Sequence, residues 1–180
     1  EAWLDAANFD AAGQQRHSLE QCRRQQAAAT LPDGVRAATL ADLPQLAALF
    51  DAYRRFYGKQ GDAPASHDFI RQRLIRADSH VLVCQQQGQL QGFTQLLPQF
   101  SSVLAAPVWL LNDLYVAEAA RQRGVGQALL QAAATLARQH GVQRLDLVTA
   151  VDNHTAQALY AAQGWQRDQR FYRYQLALGD

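Results

Sequence analysis

Cysteine, methionine and lysine are nearly missing from this chain, and so is any excess of charge. Its 180 residues hold two cysteines, no methionine and one lysine, Lys59. Cys22 and Cys84 are too few for a disulfide scaffold or a cysteine-based zinc site. As free thiols they are compatible with a reducing compartment, and a cytoplasmic location is expected. The histidines show no ligand spacing of the H-E-x-x-H kind, so no metal centre is expected. No apolar run approaches the ~20 residues of a membrane span. Lys+Arg number 17 and Asp+Glu 16, a net charge of +1. Nucleic-acid binding draws on many uncompensated cations along one face, so no such partner is expected. Genome base composition is one source of a preference for Arg over Lys, and no function is read from it. Glu1 opens the sequence, and the initiator is expected to lie outside it.

What is present suits a globular chain. Apolar residues make up 48%, within the usual ~45–50%, and the length suits one domain with an added segment. Residues 1–33 are rich in Ala and Gln and read as an N-terminal extension, with a helix at 18–29 capped by Ser18 and Gln21. No signal-peptide pattern marks it; a partner-binding arm is the functional alternative. Pro32-Asp33-Gly34 is a turn signal, and the main domain is expected over 34–180.

Residues 35–39 then read as a strand. Asp42 is expected to cap a helix to about Tyr57, with Leu43, Leu46, Leu49, Phe50, Tyr53 and Phe56 on one face. Ser66 is expected to open a second helix. Strands at 80–84 and 90–97 form a hairpin around Gly88, 98–107 reads as a loop, and 108–116 as an apolar strand. A helix at 124–140 stops at Gly141. A strand at 144–150, a helix at 153–163 stopped by Gly164, and one or two closing strands at Trp165 and 171–178 complete the order. That order implies a mixed sheet flanked by helices, an α/β or α+β arrangement.

The sharpest local signal is a strand that runs into Arg121-Gln122-Arg123-Gly124-Val125-Gly126 and then a helix. The first turn of a helix carries unpaired N–H groups and about half a positive charge. Glycines let a ligand approach the main chain, and the two arginines supply directional donors for phosphate oxygens. Together these make a pyrophosphate cradle. The alternative is that the glycines serve only tight helix–sheet packing. There is no G-x-x-x-x-G-K-[ST] for triphosphate hydrolysis and no G-x-G-x-x-G for a dinucleotide.

This segment resembles the acetyl-CoA signature of the GNAT N-acetyltransferase superfamily. Leu114-Tyr115-Val116 matches its strand end, Arg121 to Gly126 its [QR]-x-x-G-x-[GA], and Leu129-Leu130 the following helix. Asn153, Ala156, Tyr160 and Gly164-Trp165 are similar to the family's N-x-x-A-x-x-x-Y-x-x-x-G-[FW] block, and the likeness spans roughly residues 34–178. The resemblance implies a mostly antiparallel mixed sheet with a splayed pair formed by the strands at 108–116 and 144–150. It implies acetyl-CoA as co-substrate. The main chain of Leu114, Tyr115 and Val116 would pair with pantetheine by strand addition. The amides from Gln122 through Arg123, Gly124, Val125 and Gly126 to Gln127, with Arg121 beside them, would hold the pyrophosphate. Asn153 and Ala156 would contact the cofactor, and Tyr160 would stand near its sulfur. A homodimer is compatible with the family.

The activity so implied is direct acetyl transfer to the primary amine of a small molecule in a ternary complex. An alkyl ammonium has a pKa of ~10.4, so its proton must be removed. Tyr160 suits protonation of the departing thiolate, and the Val116 N–H is a candidate donor to the oxyanion. Many relatives carry a carboxylate where this chain has Asn112. Asp113 is the candidate base, yet strand neighbours point to opposite faces. It therefore acts from the other face through water, or serves substrate binding, or gives way to solvent. The acceptor pocket is expected from Tyr53, Phe56, Tyr57, Phe100, Asn112 and Asp113, with Phe93, Gln95, Ser101, Ser102 and Trp109 also offered to it, and its aromatic walls suit a small amine. Arg54 and Arg55 are candidates for a substrate carboxylate. A protein or peptide N-acetyltransferase and a non-catalytic CoA-binding module are the alternatives. Cys84 is expected to pack rather than react.

Overall fold

The computed structural model describes residues 30–178. The expected helix at 18–29 lies outside them. Two compact units divide between Val148 and Thr149. The first holds five strands, β1 (Val35–Ala37), β2 (His80–Gln86), β3 (Gln89–Ser101), β4 (Ala106–Val116) and β5 (Arg144–Leu147), with helices α1 (Leu43–Phe56), α2 (Ala63–Arg76) and α3 (Val125–Gln139). The second holds α4 (His154–Ala162). No described helix is long and apolar enough to cross a membrane.

The sheet runs β1-β2-β3-β4-β5 in chain order. All neighbours are antiparallel except β4 and β5, which run parallel. Period-2 alternation sorts the strands onto two faces. Val81, Val83 and Phe93 pack with Leu43, Leu46 and Phe50 of α1 and Ile70 of α2. Leu82 and Cys84 turn the other way and pack with Val125, Leu129 and Ala132 of α3. Cys84 is a buried free thiol whose pKa burial pushes up, as a packing residue should be.

Several local expectations are corrected. Asp42 does not cap α1 with its side chain. Its carboxylate takes two 2.7 Å bonds from the Arg36 guanidinium and one of 2.8 Å from the Thr39 N–H, which hold it down at a pKa of about 2. Helix α2 starts earlier than Ser66: the Asp62 side chain caps it by accepting from the Ala65 N–H, while buried Ser66 donates to Asp51 at 3.0 Å. The segment 98–107 is mostly not a loop. Its residues extend the β3–β4 ribbon, with Pro98 opposite Trp109 and Ser101 opposite Ala106. Gly141 stops α3 with φ +69° as expected. Residues 165–178 form no strand among the described residues. Apolar alternation there supplies propensity, but a ladder needs a partner as well.

Candidate active site

Register determines how β4 presents itself. β5 covers only Val108–Leu111 of β4, so beyond Leu111 that side of β4 has no strand neighbour among the described residues. The Ala117 N–H donates to the Gln91 carbonyl at 2.8 Å. Antiparallel pairs alternate between bonded and non-bonded, so Gly92–Val116 and Thr94–Leu114 are non-bonded pairs. The N–H and C=O groups of Leu114 and Val116 therefore point away from β3, into the gap where β5 has ended.

The chain leaves β4, makes a short 3-10 turn at Glu118–Ala120, and turns again into α3. Gly124 sits at φ +79° and Gln122 at φ +61°. Left-handed backbone is what glycine tolerates best, and an added Cβ at Gly124 would meet nothing within 4 Å. No side chain caps α3. The first amide bonded back to the turn is that of Ala128, to the Gly124 carbonyl at 2.9 Å. The N–H groups of Val125, Gly126 and Gln127 are thus the orphan donors of a four-turn helix, carrying its positive dipole end. Arg123 is exposed beside them. Arg121 turns elsewhere: its guanidinium lies over the rings of Phe56 (5.9 Å) and Tyr115 (5.8 Å), and its Nε donates to the Val116 carbonyl at 3.3 Å.

The β3–β4 register slips between Gln95 and Leu96: Gln95 pairs with Asp113, Leu96 with Leu111. Asn112 is the extra residue of a β-bulge, a device that re-aims side chains. Asn112 is exposed and Asp113 is 4% exposed. The Asn112 Nδ2 donates to both carboxylate oxygens of Asp113 at 3.1 Å, and the Thr94 hydroxyl donates to the Asp113 carbonyl at 2.8 Å. The Tyr53 hydroxyl of α1 also bonds the carboxylate. Burial raises the Asp113 pKa above the usual carboxylate range, and the bonds from Tyr53 and Asn112 hold it partly back. A buried carboxylate with a raised pKa is the kind of group that takes a proton near neutrality.

Asp113 shares its face with an aromatic wall. Tyr53 meets Tyr115 (6.3 Å between ring centroids), Phe93 (6.1 Å) and Tyr57 (5.1 Å), and Phe56 meets Tyr57 (5.2 Å). Phe100 is not brought to this wall. It lies five residues past Gln95 along β3, ~16 Å at strand rise, and is 86% exposed. Arg54 and Arg55 are engaged within the helix pair: the Arg54 Nη1 donates to the Ser66 hydroxyl at 3.2 Å and Arg55 pairs with Asp51. Sequence reasoning named Tyr53 and Asp113 separately; their hydrogen bond joins residues sixty positions apart, and no local pattern encodes it. It offered Gln95 to the acceptor pocket among several residues without a role of its own; the structure buries it on β3 opposite Asp113.

In the second unit the Asn153 side chain caps α4, its Oδ1 accepting from the Ala156 N–H at 3.2 Å. The Tyr160 ring lies 6.1 Å from that of Trp165, and the Tyr160 carbonyl accepts from the Trp165 N–H at 3.0 Å. No group of three or more candidate metal ligands occurs among the described residues.

The Acetyltransferase (GNAT) family matches residues 46–165. The Uncharacterized N-acetyltransferase YhfO of Bacillus subtilis (strain 168) is 39% identical over 140 residues, 78% of this chain and 94% of that protein. The D-amino-acid N-acetyltransferase HPA3 of Saccharomyces cerevisiae is 35% identical over 86 residues, 48% of this chain and 53% of that one. A solved structure of a probable acetyltransferase superposes with a TM-score of 0.76 at 41% identity, covering 81% of this chain and 98% of its own.

Proposed function

This chain belongs to the GNAT acetyltransferase family, and from that membership we propose that it moves an acetyl group from acetyl-CoA to the primary amine of a small molecule, by direct attack in a ternary complex. The observation that carries this reading is the buried Asp113 carboxylate, held by Tyr53 and Asn112 next to the open end of β4.

Acetyl-CoA supplies an acyl group activated as a thioester. The residues present fit it. The uncapped start of α3 offers its diphosphate the orphan amides of Val125, Gly126 and Gln127, with Gln122, Arg123 and Gly124 in the turn. Leu114 offers its outward N–H and C=O groups to the amides of the pantetheine arm, with the main chain of Tyr115 and Val116 beside it at the strand end. By family resemblance, Asn153 and Ala156 contact it too.

Asp113 takes one proton from the acceptor's ammonium, and the neutral nitrogen forms the C–N bond as the C–S bond breaks. The Val116 N–H steadies negative charge on the carbonyl oxygen. Tyr160 gives its hydroxyl proton to the thiolate sulfur. The second nitrogen proton restores the tyrosine by way of solvent, and Asp113 releases its proton to solvent. Tyr53, Phe56 and Tyr57 wall the acceptor, an apolar and π-rich surface that suits an amine of modest size.

An amine panel with acetyl-CoA, followed by free thiol release, tests this. Turnover with at least one primary amine is expected, and Tyr160→Phe should lower kcat far more than it weakens cofactor affinity. Acetyl-CoA binding with no thiol release across the panel would leave a binding module in place of an enzyme of small amines.

A further inference from the structure

Gln95 lies on β3 directly across the ladder from Asp113, and it is 1% exposed. Its Oε1 is buried and has no hydrogen-bond partner among the described residues. Buried polar atoms are almost always bonded, and an orphan calls for an explanation such as a missing ligand. Period-2 alternation puts Gln95 on the face of Phe93, the face that α1 covers. On that face Gln95 stands between Val81 of β2, which brings no donor, and Asp113 of β4. Opposed Cβ atoms of antiparallel strands lie ~5 Å apart, so the amide and the carboxylate are immediate neighbours.

Two donors at this wall are already committed. The Asn112 amide and the Tyr53 hydroxyl both serve the Asp113 carboxylate. The row therefore holds two acceptors side by side, one of them unfilled, at the wall where the aromatic rings of α1 gather. A group with several N–H bonds and positive charge completes it, and an alkyl ammonium is such a group.

We propose that Gln95 is an acceptor-binding residue: its Oε1 takes one N–H of the substrate amine while Asp113 takes another. This rests on the reading of Asp113 as the base. Gln95 holds the nitrogen as Asp113 removes a proton. The amide oxygen is left unfilled in the free protein because its partner arrives with the substrate.

The test uses Gln95→Met, which keeps length and removes the acceptor, with 2-phenylethylamine as the probe. Titration calorimetry and steady-state kinetics should both show amine affinity falling roughly tenfold or more, the scale of one hydrogen bond to a charged partner. Acetyl-CoA affinity should be unchanged, and the melting temperature equal or higher, because an orphan polar atom has gone. Gln95→Glu restores an acceptor and should restore amine binding. It should also move the acidic limb of the pH–rate profile upward, since a second carboxylate disfavours ionisation of Asp113; Tyr53 is the other titratable group bonded to it. Unchanged amine affinity in Gln95→Met would overturn the proposal. So would a lower melting temperature with acetyl-CoA and amine binding weakened alike, which would make Gln95 part of the fold. If the parent protein acetylates amines and Gln95→Met matches it, the Gln95 assignment fails alone. If the parent binds the probe through Gln95 and transfers nothing, the enzymatic reading fails and the binding residue stands.

Discussion

Beneath α3 the sheet presents Leu82, Cys84, Leu114 and Val116 to Val125, Leu129 and Ala132. Beneath α1 it presents Phe93 and Tyr115 together with two buried polar side chains, Gln95 and Asp113. The α3 face is fitted closely: a Cβ added to Gly92 would stand 2.6 Å from the Tyr115 carbonyl oxygen, 3.2 Å from Val125 and 3.3 Å from Leu129. It has no buried polar group in want of a partner among the described residues; Thr94, fully buried, spends its hydroxyl on the Asp113 carbonyl. The same five strands thus carry a side that holds the fold and a side that holds unsatisfied chemistry. Native proteins place such local violations of packing rules at functional sites and stabilise them from elsewhere.

Substitutions on the two faces should therefore differ in kind. The largest effect is expected from Asp113→Asn, which removes the base: kcat/KM should fall by ~10²–10⁴. Stability should go the other way. A carboxyl whose folded pKa exceeds its unfolded value loses stabilisation as pH rises from the unfolded value through the folded one. Near neutral pH the asparagine variant should then melt at the same temperature or higher; a clear drop would show Asp113 serving the fold. Leu129→Ala on the opposite face should cost about 2–5 kcal/mol of stability and leave KM for acetyl-CoA unchanged, as thermal melts and kinetics below the transition would read out.

Smaller effects sharpen the contrast. Tyr53→Phe takes away a bond that holds the Asp113 pKa down, so the acidic limb of the pH–rate profile should move to higher pH with only a modest stability loss. Asp42→Asn lies outside both faces and reports on the Arg36 pair. Its native carboxyl is held at about 2, so its contribution is present above the ordinary value near ~4 and disappears as pH falls through about 2. With Arg36 partly exposed the loss at neutral pH should be on the order of 1–2 kcal/mol, and parent and variant should converge in acid-unfolding curves near the bottom of that window.

What the sequence made legible was what short-range physics encodes. Period 3.6 with Leu129, Ala132 and Ala133 marked α3, and Gly124 and Gly141 marked its ends because both need positive φ. The hairpin at Gly88 and the open end of β4 followed from the same kind of local signal and from family likeness. The bulge at Asn112 was not legible, because register belongs to two strands at once. Strict alternation put Asn112 and Asp113 on opposite faces; Asp113 indeed faces α1, but the extra residue leaves Asn112 free to bond both its oxygens. Asp42 read as a helix cap because its spacing suits one, and Arg36 on β1 drew its carboxylate away. Residues 171–178 alternate like a strand, and pairing is the part that alternation cannot specify.

The most direct measurement is calorimetric titration of the parent protein with acetyl-CoA. One site per chain, weakened roughly tenfold or more when Arg123→Glu puts a negative charge beside the orphan amides, is the expected result. An absence of binding heat, joined to an unshifted melting temperature at saturating acetyl-CoA, would contradict the assignment of the α3 turn as a diphosphate cradle.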